Sequence, residues 1–321
     1  MELPTLDALK KAARLVYRAM PPTPQYSWPL INERVGTEVW IKHENHTPLG
    51  SFKVRGGLVY FDELKRRRPK VKGVIAATRG NHGQSIAFAA QRSGLKAVIV
   101  VPHGNNPEKN AAMRARHAEL IEHGTDFQDA LEHAGRLAQT RELDLVPSFD
   151  SLLVLGVASY SLELFEAVPE LHTLYIPIGL GSGICGAACA REALGLKTDI
   201  VGIAATAAPA NALSFAAGQI VAAPVGPTIA DGMAVRQPNA EAMEFIRRHI
   251  ARVLTVSEPE IRGAMRSLFT DTHNVAEGAG AAGLAAVLQE KAAQRGRRTA
   301  FVLTGGNVDK RAFAEVLLES S

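Results

Sequence analysis

Cysteine is scarce in this chain. Two in 321 residues, Cys185 and Cys189, leave no material for a disulfide framework. Four positions apart on one predicted helix face, they are awkward to join and read as small core residues. No apolar run approaches the ~18 residues that cross a bilayer. Met1 to Lys11 lacks the basic region, apolar stretch and small-residue cleavage site of a signal peptide. Both absences point away from a membrane and toward the cytoplasm. Aromatic residues make up only 6% of the chain and do not interleave with basic ones, which removes the usual signature of nucleic-acid binding. The 36 basic residues outnumber the 32 acidic ones by four but are scattered. Their densest run, Lys65 to Arg68, closes an amphipathic pattern and reads as a solvated helix end.

What the chain has in quantity is core-forming material. It is 46% hydrophobic and 21% charged, ample for a packed interior and long enough for two domains. Short β-rich runs at Glu38–Lys42, Val74–Ala77, Ala97–Val101, Thr173–Ile178, Asp199–Ala204 and Thr299–Thr304 alternate with helical patterns. The helices are expected at Gly83–Arg92, Lys109–His123, Phe127–Gln139 and Ala187–Leu194. Strands alternating with helices predict an α/β fold of mostly parallel sheets with covered faces. Leu143 to Ser151, with its proline and polar residues, is the expected crossing between two domains.

Four segments could carry chemistry. In His43 to Gly57 a strand, a glycine-containing turn and a helix place Lys53 just inside a helix start. There the positive end of the helix dipole disfavours the ammonium and promotes the neutral amine; alone, such a lysine could equally be a snorkelling surface cation. Thr78 to Ser85 follows an apolar strand and opens a helix, a setting that suits a carboxylate but also an ordinary cap. Pro177 to Gly186 is rich enough in glycine to wrap a phosphate. Its Gly181–Gly186 portion also spells G-x-G-x-x-G, the dinucleotide fingerprint, yet the following strand ends in Ala204, Ala205 and Thr206 without the acid that would hold a ribose. Leu303 to Asn307 ends a strand in a hydroxyl and two glycines, where a flat ring could approach the backbone, or where there is only a tight turn.

In this order, the four segments resemble the fold-type II pyridoxal-phosphate enzymes, in the branch of serine and threonine dehydratases and serine racemase. The resemblance runs almost the whole chain, from Pro22-Thr23-Pro24 through Thr228 to Gly232 and Ala276 to Gly280. It implies a tryptophan synthase β-like fold of two open, twisted sheets. It also implies pyridoxal 5'-phosphate held as a Schiff base by Lys53, with Phe52 beside the ring and Asn81 at its 3'-oxygen. Gly179, Leu180, Gly181, Ser182 and Gly183 would present amides to the phosphate, and Thr304 a hydroxyl to the pyridine nitrogen. Glu277 and Gly232 fall close to the ring. Thr78, Arg79, Gly80, Asn81 and His82 would bind the substrate carboxylate.

The implied reaction is the dehydration and deamination of a 3-hydroxy amino acid, threonine or serine, to a 2-oxo acid and ammonia, with Lys53 as the base. Three departures qualify this. Arg79 stands where serine racemase has a serine serving the opposite face of the α-carbon; arginine is a poor base, so little racemisation is expected. Ala204 and Ala205 replace the glutamate of metal-dependent relatives, so no metal is expected and activity should survive EDTA. Gly156-Val157-Ala158-Ser159 and Phe149 replace polar residues with apolar ones, through a repacked domain interface or, second, a pocket for a bulkier group as in 3-phenylserine; 3-hydroxyaspartate is a further alternative.

The expected organisation is a large cofactor-binding domain, 1–72 and 150–321, with a small carboxylate-binding domain, 73–149, inserted. By resemblance it forms a homodimer. The chain stops 14 residues after Asn307, which leaves room for one helix and favours a catabolic enzyme without a regulatory domain. A nicotinamide-dependent oxidoreductase and an inactive ligand-binding homologue stay open as rivals.

Overall fold

A computed structural model describes residues 1–319. Ten strands form two sheets: β1 (Gln25–Ser27), β2 (Val39–His43), β3 (Gly73–Ala77), β4 (Lys96–Val101), β5 (Glu119–Glu122), β6 (Asp144–Leu145), β7 (Thr173–Pro177), β8 (Asp199–Ala205), β9 (Arg252–Val256) and β10 (Thr299–Leu303). The larger sheet runs β1-β2-β10-β7-β8-β9 and the smaller β5-β4-β3-β6. Only β1 is antiparallel to its neighbour. Every residue of β3, β7 and β10 is buried. This accounts for their unbroken apolar sequence, since helices cover both faces of a parallel sheet.

Six helices matter for the site: α1 (Lys53–Arg67), α2 (Asn81–Arg92), α3 (Pro107–Arg114), α4 (Ser151–Ala167), α5 (Ser182–Ala193) and α6 (Gly278–Gln289). The α/β architecture and the six expected strands are present. The helix expected over Lys109–His123 is not: α3 ends at Arg114, His117 turns the chain at φ 61°, and Glu119–Glu122 pairs in parallel with β4. The positive φ ends a helical path that the alanine-rich composition alone would have continued.

Cys185 and Cys189 are buried in α5 without a disulfide. Arg66 and Arg67 pair with Glu63 and Arg68 with Asp144, on exposed side chains, so the basic run is a solvated helix end. Among the described residues, no helix is long and apolar enough to cross a membrane.

Helix α1 is fixed from below by an enclosed ionic cluster. Arg55, fully buried, donates to Glu44, Glu163, Ser159 and Thr23, while Lys42 donates to Glu163 at 2.6 Å. Burial pushes the Glu163 carboxyl up, but Arg55 and Lys42 more than offset it and hold it below the usual range. The segment Gly156–Ser159 belongs to this packing: a Cβ on Gly156 would lie 2.3 Å from the Arg55 carbonyl oxygen, and Ser159 accepts from Arg55. Neither these residues nor Phe149 line the cleft described next, which favours the repacked interface over an enlarged pocket.

Candidate active site

A parallel strand delivers its following loop to the carboxyl edge of the sheet, and such edges are where α/β folds bind ligands. The loops after β3, β7 and β10, together with the start of α1, converge on one cleft of about 830 Å³. It brings together Phe52, Lys53, Thr78, Arg79, Gly80, Asn81, His82, Gly179, Leu180, Gly181, Ser182, Gly183, Gly232, Glu277 and Thr304, all the residues expected to meet the cofactor or the substrate carboxylate.

Lys53 enters this cleft because the Phe52 amide donates to the Thr304 carbonyl at 3.1 Å, tying the start of α1 to the end of β10. Its amine lies 3.1 Å from the Ser182 hydroxyl and 4.9 Å from the centre of the Phe52 ring. Burial pulls the amine down to about 8, and the Glu277 charge only partly restores it. The low value expected from the helix dipole is therefore carried chiefly by burial.

The loop 179–183 forms an anion cradle. Gly181 sits at φ 103°, a left-handed conformation that favours glycine, and a Cβ on Gly179 would lie 2.5 Å from the Gly232 carbonyl oxygen. Asn211 donates to the Gly179 carbonyl and Tyr160 to the Gly183 carbonyl, which holds the loop from behind. Among the described residues, none of the amides of residues 179–183 has an acceptor. Five unengaged amides at the start of α5 match the needs of a phosphate. The Thr304 hydroxyl, also without a hydrogen bond among the described residues, lines the same cleft.

On the opposite wall the Thr78 oxygen accepts from the Gly80 and Gly83 amides, so this side chain does cap the turn. His82 Nε2 is buried without a partner, and burial followed by the nearby Lys53 charge lowers the imidazole to about 3, so it is neutral. Asn81 donates to Glu277 Oε1 at 2.8 Å and accepts from Asn307 at 2.8 Å, leaving one amide hydrogen free. Arg79 is exposed at the mouth and makes no ion pair among the described residues. The donors and the unpaired lysine thus fit pyridoxal phosphate. Among the described residues, no three His, Cys, Asp or Glu side chains cluster as metal ligands would.

Sequence reasoning did not single out Lys109, whose amine contacts Asp231 at 2.5 Å and Glu277 at 4.0 Å across the cleft. Its position after β4, at the same sheet edge as Thr78, was the available signal. Asn211 and Asn307 were also missed, because each acts through a partner remote in sequence.

Known proteins match this arrangement. An L-threonine ammonia-lyase of Thermotoga maritima is 33% identical over 95% of this chain and 76% of its own length. The catabolic L-threonine dehydratase of Escherichia coli K12 is 30% identical over 97% and 94%. An L-threo-3-hydroxyaspartate ammonia-lyase of Saccharomyces cerevisiae is 30% identical over 99% and 97%. Maize serine racemase superposes with a TM-score of 0.91 at 28% identity, over 98% of this chain and 97% of that one. Residues 16–305 match the family of pyridoxal-phosphate dependent enzymes, and the chain belongs to that family.

Proposed function

We propose that this protein is an ammonia-lyase that removes water and then ammonia from a 3-hydroxy amino acid, L-threonine or L-serine, leaving a 2-oxo acid. The observation that carries the proposal is the position of Lys53: a buried amine held at about 8, facing a cradle of unengaged amides. Bound there, pyridoxal phosphate supplies an electron sink that acidifies the α-carbon hydrogen.

The chain supplies the rest. The amides of residues 179–183 would hold the phosphate, and Thr304 would offer its hydroxyl to the ring nitrogen. Phe52, Gly232 and Glu277 would border the ring, and Asn81 would offer its spare amide hydrogen. The loop from Thr78 to His82 receives the substrate carboxylate through its backbone and the Asn81 side chain. Lys53, as the neutral amine, accepts the α-hydrogen as a proton. The β-hydroxyl departs with a proton as water, and the released enamine takes up water to give the 2-oxo acid and ammonia. Positioning and the lowered lysine pKa are what the chain adds to that chemistry. In the same reading the protein is a cytoplasmic, catabolic homodimer, its small domain (73–149) closing over a larger one.

The test is a panel of L-threonine, L-serine, 3-hydroxyaspartate and 3-phenylserine, scored for ammonia and 2-oxo acid. Turnover of threonine or serine is expected. Exclusive turnover of another member would replace the substrate assignment, and none at all would refute the elimination.

A further inference from the structure

Glu277 is one of the most enclosed acids in the cleft, and its surroundings are asymmetric. One oxygen accepts from Asn81, while Oε2 has no hydrogen-bond partner. Its backbone amide donates to the Gly305 carbonyl, which ties the residue to the loop after β10. The charged and titratable groups facing it come from four elements. Lys53 projects from α1, neutral His82 from α2, Lys109 from α3, and Asp231 from the 3-10 turn Asp231–Met233.

Lys109 is the group that can compensate the orphan oxygen. Its stem crosses the cleft over Gly80: a Cβ at that position would lie 2.6 Å from Lys109 Cδ, so glycine is what leaves the path open. The residue is only 6% exposed, and its amine reaches Asp231 at 2.5 Å and Glu277 Oε2 at 4.0 Å. An ammonium in that position costs desolvation that only the two acids can repay.

We propose that Lys109 is a positioning residue that reaches across the cleft to the unpartnered Glu277 Oε2, sets its charge against that of Asp231, and thereby supports the Glu277–Asn81 contact. An ionised Glu277 can only accept, so it orients the Asn81 nitrogen toward itself and the Asn81 oxygen toward Asn307. A protonated Glu277 could donate, which would leave the orientation to Asn307 alone, whose amide donates to both the Leu49 carbonyl and the Asn81 oxygen. Burial pushes the Glu277 carboxyl up, Lys109 opposes this and Asp231 adds to it, which together leave it at about 7; without Lys109 it would lie higher still. Burial also works against Lys109, but Glu277 and Asp231 more than offset it and hold the ammonium above the usual lysine range. Lys109 and Asp231 thus act on Glu277 with opposite signs.

That opposition supplies the test, which needs no substrate and so stands apart from the elimination reading. The infrared carbonyl stretch of protonated carboxyl groups is followed against pH in the holoenzyme, with Glu277→Gln identifying the Glu277 band by its loss. In Lys109→Met the ionisation midpoint of Glu277 should rise by about 1 to 3 pH units, the usual effect of removing one close opposite charge. In Asp231→Asn, the milder change, it should fall. Lys109→Arg, which keeps the charge, should stay nearer to wild type than Lys109→Met does. A wild-type midpoint in Lys109→Met, or shifts of the same sign in Lys109→Met and Asp231→Asn, would overturn the proposal.

Discussion

A buried amine gives up part of its proton affinity, and at Lys53 that loss is useful. With burial holding it to about 8, the neutral, nucleophilic form accumulates as pH rises through that value, whereas an ordinary lysine needs about 10.4. Acylation of Lys53 in the apoprotein, followed by mass spectrometry, should therefore rise with a midpoint about two units below that of an ordinary lysine side chain. Equal midpoints would contradict the burial account. The same shift links pH to stability. Between about 8 and 10.4 the unfolded chain holds a proton that the folded chain lacks, so this group adds stability as pH rises across that window. Arg79 lines the cleft as an exposed cation, and an arginine is a poor base. Long incubation with L-serine should yield pyruvate with little D-serine, measured by chiral chromatography; comparable amounts of both would show that another group serves the opposite face of the α-carbon.

At the scale of elements, α1 carries Lys53 at its first residue and Arg55 two residues later. The buried guanidinium locks this end of the helix to Glu44, 11 residues earlier, and to Glu163, 108 residues later. Replacing Arg55 by methionine would leave two enclosed carboxylates without their main partner. A loss of about 3–5 kcal/mol in unfolding free energy is expected from denaturant titration, and a loss below about 1 kcal/mol would mean that Lys42 alone suffices. Long buried strands were legible because continuous burial writes continuous apolar sequence, as in Gly73–Ala77. Short or edge strands were not: Gln25–Ser27 has three residues, and Glu119–Glu122 carries charges at both ends. The cleft loops were legible because glycine and small polar residues mark the junctions. Lys109 was not, since its partner Asp231 lies 122 positions away and only the folded chain brings the two together.

For the molecule as a whole, two sheets turn their carboxyl edges toward one cleft, and the residues that bridge it decide what that cleft can do. The smaller sheet supplies the Thr78–His82 loop and Lys109; the larger supplies the amide cradle, Thr304, Asp231 and Glu277. The dinucleotide alternative for Gly181–Gly186 loses its footing here. The five amides open onto the Lys53 amine, and the family that the chain belongs to uses pyridoxal phosphate. Everything functional in this account depends on Lys53 being the residue that carries that cofactor. The most direct measurement is borohydride reduction of the holoenzyme followed by peptide mapping. A single pyridoxyl adduct on Lys53 is expected, with neither adduct nor visible absorption in Lys53→Ala. An adduct on Lys109 or any other lysine, or a Lys53→Ala protein that keeps its visible band, would contradict it.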